Sequence, residues 1–126
     1  MKAVYTELAP KPIGAYSQAI SAKGNTVFFA GQIGLEPQSG LLVEGFTKQA
    51  EQVFANIDAV AQAAGGSLKN IVKVTIFLLD MNHFAQVNSL MERFFDEPYP
   101  ARSTVQVSAL PKGALIEIEA VMIITS

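Results

Sequence analysis

The segment from Leu115 to Ile124, LIEIEAVMII, restricts the fold more than any other part of the chain. At the two-residue period of a strand it separates into two faces. Ile116, Ile118, Ala120, Met122 and Ile124 form one wholly apolar face. Leu115, Glu117, Glu119, Val121 and Ile123 form the other, which is also mostly apolar but carries both carboxylates. A strand that is apolar on both faces is normally covered on both. The rest of the chain must therefore supply two layers of cover, or a neighbouring molecule must supply one of them.

The remaining segments offer one layer. Ala3–Glu7 reads as a short edge strand closed by Pro10 and Pro12, and residues 13–20 as a turn leading into a strand. A Lys23-Gly24-Asn25 turn then precedes an apolar run, Thr26–Ala30, so these two strands are predicted to form a β-hairpin. Gly31-Gln32-Ile33-Gly34 ends the second strand, and its two glycines suggest a place where the backbone comes close to a packing neighbour or a ligand. Residues 35–45 form a loop. From Phe46 the period becomes helical: Phe46, Ala50, Val53, Phe54, Ile57, Val60, Ala61 and Ala64 share a stripe, and Gly65-Gly66 stops it. Ile71–Leu79 is the next strand. Asp80 or Asn82 caps a second helix whose stripe is Phe84, Val87, Leu90, Met91, Phe94 and Phe95, ended by Pro98 and Pro100. His83 falls in its first turn as a surface or boundary residue. Ser103–Val107 supplies a further short strand.

The predicted class is α+β: one domain, residues 1–126, with a mixed sheet of about six strands and two helices packed on one face. No segment remains to cover the other face, and a second copy of the chain is the economical solution. Glu117 and Glu119 would then lie in or beside a subunit interface, where a carboxylate needs a cation, a donor or a ligand.

Composition excludes several classes. Nine Lys and Arg against eleven Asp and Glu give a formal charge of −2, and no basic run occurs, which argues against nucleic acid as a partner. The first dozen residues are broken by prolines and a glutamate, unlike a secretion signal, and no apolar run is long enough to span a membrane. The absence of cysteine excludes disulfides and thiolate chemistry and fits a reducing compartment, so a cytoplasmic location is expected. With one histidine, no G-x-S-x-G and neither phosphate-loop pattern, a zinc site, a Ser-His-Asp triad and a nucleotide loop are all unsupported. Any catalysis is expected to proceed without a metal or cofactor.

The chemistry is concentrated between Tyr99 and Glu119, YPARSTVQVSALPKGALIEIE. The segment can fold back so that Arg102 approaches Glu117 or Glu119. A guanidinium beside a carboxylate on a sheet would make either a site for a small carboxylated ligand or a structural ion pair, and the pattern leaves both open.

Tyr99-Pro100-Ala101-Arg102-Ser103, Leu110-Pro111-Lys112-Gly113-Ala114 and Ile116-Glu117-Ile118-Glu119 together resemble the C-terminal signature of the Rid proteins. These are the reactive-intermediate deaminases, formerly grouped with the L-PSP endoribonucleases. Ala9-Pro10, Gly14-Ala15-Tyr16-Ser17-Gln18-Ala19, Phe29-Ala30-Gly31-Gln32-Ile33 and Val87-Asn88 agree in order, so the resemblance spans essentially the whole chain. With Arg102 and Glu117 both present, the chain is most similar to the RidA branch. That resemblance implies a chorismate-mutase-like fold and a homotrimer with clefts between subunits. It also implies hydrolysis of 2-imino acids, such as 2-iminobutanoate and 2-iminopropanoate, released as enamines and imines by pyridoxal-phosphate enzymes, to 2-oxo acids and ammonia.

Within the resemblance, Arg102 matches the substrate arginine and Glu117 the catalytic glutamate that handles water and protons. Tyr16, Gly31 and Asn88 match pocket residues, and Thr104 stands where many RidA proteins have cysteine, at a contact made largely through the backbone. Ala15 replaces the usual proline before the tyrosine and loosens that turn. Family members also suggest other roles: a 2-oxo-acid-binding regulator or chaperone-like trimer, and a ribonuclease or translation inhibitor, which the acidic balance supports poorly.

Overall fold

The computed structural model describes residues 1–125; Ser126, the last residue of the expected single domain, lies outside the described residues. The doubly apolar segment becomes β6 (Ile116–Ile124), an inner strand of a four-stranded sheet. It pairs antiparallel with β3 (Asn25–Ile33) on one side and with β4 (Ile71–Leu78) on the other. β4 also pairs in parallel with β5 (Ala101–Gln106), which forms the far edge. A parallel pair needs a crossover connection, and α2 (Phe84–Phe94) lies in it. α1 (Phe46–Ala63) connects β3 to β4.

Both helices bury most of their predicted apolar stripes in one core, although Val60 and Ala64 are exposed and Phe84 lies outside the core cluster. Val53, Phe54 and Ile57 of α1 and Val87, Leu90 and Met91 of α2 belong to the same buried cluster as Val74, Ile76, Leu78, Ile116, Ile118 and Met122 of the sheet. α1 ends where the double glycine predicts. Gly65 has φ of 94° and donates to the Gln62 carbonyl, while the Gly66 N–H reaches back to Ala61, the paired bonds of a left-handed helix cap. α2 is entered through a 3-10 turn, Met81–His83, in which the Asp80 carboxylate accepts the Asn82 N–H at 2.9 Å. His83 sits at that junction, half-buried, its ring stacked on Phe46 with centroids 3.9 Å apart.

The structure corrects several of the sequence expectations. The predicted hairpin does not form: β2 (Ala19–Ser21) pairs antiparallel with β1 (Lys2–Val4) in a separate two-stranded ribbon. The Lys23-Gly24-Asn25 turn redirects the chain, but β3 takes the longer apolar partner, β6, along nearly its whole length. The six strands are thus divided four and two, with the first running over Lys2–Val4 rather than Ala3–Glu7. β3 continues through Gly31 to Ile33, past an extra residue inserted between Phe29 and Gln32, so Gly31 marks a bulge within the strand while Gly34 follows its last residue. A second irregularity, between Ile71 and Lys73, returns Ile71 to the buried face that simple alternation denied it.

The helix-free face of the sheet is open. Register places Phe28, Val121, Lys73, Thr75, Ser103, Phe77, Val105, Glu117 and Glu119 on it, and Phe28 is 79% exposed. Lys73 forms a polar island there, donating to Thr75 Oγ1 at 3.0 Å and to the Val74 carbonyl at 3.1 Å. Burial pushes its ammonium below the usual lysine range, opposed by the charge of Glu119.

Gly34 is required by packing. A Cβ there would lie 2.8 Å from Gln49 Cα and 2.9 Å from the Gln49 carbonyl, so α1 would have to move off the sheet. Gly34→Ala is expected to destabilise the fold by about 1–3 kcal/mol, the usual cost of overpacking a close contact. Urea unfolding would measure it as a lower midpoint at unchanged slope.

Candidate active site

Arg102 lies on β5 opposite Val74, and therefore on the helix-covered face of the sheet. The N-terminal loop is stapled beside it: Ser17 N–H donates to the Pro100 carbonyl at 3.2 Å and Ser17 Oγ to the Tyr99 carbonyl at 2.5 Å. This anchor brings Tyr16 to the guanidinium, whose carbon lies 5.1 Å from the Tyr16 ring centroid. From α2, Phe84 presents a second ring at 5.6 Å, and Asn88 Oδ1 accepts from Arg102 Nη1 at 2.8 Å. The same oxygen receives the Ala15 N–H at 3.4 Å. Gly14 makes room for it, because a Cβ there would stand 2.5 Å from Asn88 Oδ1.

The half-buried guanidinium has no carboxylate partner among the described residues. The ion pair found among the described residues joins Arg93 to Glu51 instead. Burial lowers the Arg102 pKa, and the Tyr16 phenol opposes the shift. A cation held in this way, desolvated and bound to one neutral acceptor, favours an incoming anion. Two residues on, Thr104 faces the same side, with its Oγ1 buried and unpartnered. β5 is an edge strand bridged at Ala101 by Ser17, and its outward backbone groups past that bridge can bind a ligand.

Glu117 belongs to a second group. It lies opposite Ile33 of β3 and Phe77 of β4, on the open face of the sheet, next to the bulge that contains Gly31. A Cβ at Gly31 would overlap the Glu117 carboxylate, so only glycine lets that carboxylate lie against the β3 backbone. Glu119 is exposed on the same face.

The expected approach of Arg102 to Glu117 or Glu119 within one chain does not occur. β4 runs between their strands, and the β4 partners, Val74 and Phe77, project to opposite faces. Two strand spacings and three residue rises put the two backbone positions roughly 14 Å apart. Tyr16, Asn88, Thr104 and Arg102 are gathered on one side, and Gly31 and Glu117 on the other. A cavity of about 510 Å³, lined by Asp58, Leu68, Phe94 and Phe95 among others, contains none of them.

Phe84 was not singled out from the sequence. Its signal was present, since it stands one helical turn before Asn88 on α2 and hence on the same side. Among the described residues no three His, Cys, Asp or Glu side chains converge as metal ligands, and no helix is long and apolar enough to cross a membrane.

Residues 6–124 match the endoribonuclease L-PSP family. A 2-iminobutanoate/2-iminopropanoate deaminase of Dermatophagoides farinae is 46% identical over 122 residues, covering 96% of this chain and 94% of the relative. Among solved structures, RidA from the Antarctic bacterium Psychrobacter sp. is 48% identical with a TM-score of 0.79, over 98% of this chain and 100% of that one. TdcF of E. coli with bound serine is 41% identical with a TM-score of 0.76, over 99% and 100%. The α+β architecture is that of the RidA structure, a chorismate-mutase-like fold. With the match running almost end to end, the chain belongs to the endoribonuclease L-PSP family, that of the Rid proteins.

Proposed function

We propose that the chain is a cytoplasmic 2-iminobutanoate/2-iminopropanoate deaminase, acting as a homotrimer whose active sites lie between subunits. The observation that carries this reading is Arg102: a half-buried guanidinium, oriented by Asn88 and lacking any carboxylate partner among the described residues. Its planar fork suits the α-carboxylate of a 2-imino acid. The relative named a 2-iminobutanoate/2-iminopropanoate deaminase supports the substrate class, and bound serine in TdcF fits a small ligand with an α-carboxylate.

The separation of Arg102 from Glu117 supports an intersubunit site. If the open face of one protomer meets the β5 edge of the next, Gly31 and Glu117 of the first can face Arg102, Tyr16, Asn88 and Thr104 of the second. Arg102 then holds the carboxylate, while the Thr104 and Gly31 backbones and the Tyr16 ring frame the rest of the small acid. Glu117 orients a water molecule and takes its proton as the oxygen bonds to the imine carbon. That proton passes to nitrogen to give the carbinolamine; Glu117 then takes the hydroxyl proton and returns it to the amine as the C–N bond breaks, so that the carbonyl forms and ammonia leaves a 2-oxo acid. Imine hydrolysis is intrinsically easy, and placing the reactants beside one proton-transfer group supplies a useful acceleration without a covalent nucleophile or cofactor.

A dehydratase that makes 2-aminoacrylate in the presence of semicarbazide provides the test. The protein is expected to lower semicarbazone formation by hydrolysing the imine first. No effect on semicarbazone, combined with tight 2-oxobutanoate binding, would replace the enzyme with a non-catalytic 2-oxo-acid binder.

A further inference from the structure

The geometry points to Phe84 as a positioning residue, which with Tyr16 holds the Arg102 guanidinium ready for a carboxylate. The inference rests on the carboxylate-binding role of Arg102 proposed above. Arginine has a long side chain with several rotatable bonds, and ordering it when a ligand arrives weakens binding. Here two aromatic rings, from segments far apart in sequence, lie against one guanidinium, at 5.1 Å for Tyr16 and 5.6 Å for Phe84.

Both distances are within the range over which a ring face attracts a cation, and the attraction grows as water is excluded. Phe84 and Asn88 are one turn apart on α2, so the same helix face supplies the ring and the hydrogen-bond acceptor for Nη1. Asn88 uses one edge of the guanidinium, leaving its other N–H groups for a ligand. The ring also replaces water around a charge that has no counter-ion among the described residues, so the cation is both fixed and incompletely satisfied. Phe84 acts on the ligand through Arg102 and takes no part in proton transfer.

The expected signature is a change in carboxylate affinity without a change in chemistry. In the full-length protein, Phe84→Leu should weaken 2-oxobutanoate binding about fivefold in calorimetry, consistent with loss of one partly desolvated cation–ring contact. KM for the imine should rise by a similar factor while kcat stays within about twofold. Phe84→Tyr should restore most of the affinity. Replacing Phe84 with 3,4,5-trifluorophenylalanine keeps the shape and drains charge from the ring face, so it should weaken binding without lowering the melting temperature.

Wild-type affinity in the trifluoro variant, or failure of tyrosine to restore what leucine loses, would overturn the proposal. So would absence of 2-oxobutanoate binding to the wild-type protein. Ring-dependent binding without imine hydrolysis would uphold the positioning role and remove the deaminase reading, whereas hydrolysis indifferent to the ring would remove only the positioning role.

Discussion

Arg102→Ala is expected to lower kcat/KM on a 2-imino acid by at least about a hundredfold, since two charge-assisted hydrogen bonds to the substrate would be lost. Its melting temperature should stay within a few degrees of the wild type. The combination follows from the surroundings of the side chain. Arg102 is half-buried and bonded to one neutral oxygen, Asn88 Oδ1, with no carboxylate among the described residues to strand when it is removed. Deleting a desolvated cation of this kind is close to neutral for folding, unlike breaking a buried ion pair. Arg102→Lys keeps the charge but not the planar fork, and should recover less than about a tenth of the lost activity. Steady-state kinetics with thermal denaturation checks both outcomes. Activity within a few-fold of wild type in the alanine variant would remove Arg102 from the site.

Val121→Lys is expected to have the second large effect, and to act at a distance. Val121 lies in the middle of the open face, across from Phe28 on one side and Lys73 on the other. A lysine there would set a second ammonium directly opposite one whose charged form burial already disfavours. Covering this face with another subunit would then cost several kcal/mol per protomer for an unpaired buried charge. Sedimentation at micromolar concentration should show the species of a single chain, and deaminase activity should disappear although Arg102 and Glu117 are untouched. An intact assembly would show that the face is not the surface on which the subunits meet.

These two residues also mark the limits of what the sequence made legible. The apolar stripes of α1 and α2, the double-glycine stop and the two-faced β6 could all be read because each depends on local periodicity. The uncovered face followed from counting the segments left to cover it. Arg102 and Glu117 could be singled out, but their relation could not. It depends on β4, more than twenty residues upstream of Arg102, being inserted between their strands. The mistaken hairpin has the same cause, since the turn at Lys23-Gly24-Asn25 announces a change of direction and not a partner. The bulges near Gly31 and Val72 escape a fixed two-residue period by their nature. Gly31 and Gly34 looked alike in sequence. One makes room for the Glu117 carboxylate and the other for the backbone of α1, and only the tertiary structure separates them.

The central claim is that a working site takes its arginine from one subunit and its glutamate from the next. Arg102→Ala and Glu117→Ala protomers, each inactive alone, should be unfolded together and refolded as a mixture, and the imine-hydrolysis rate of the mixture measured. Random assembly into closed rings should make about a quarter of the sites complete, and so restore about a quarter of wild-type activity. A mixture as inactive as its two components would mean that both groups must come from one chain, and would contradict the account.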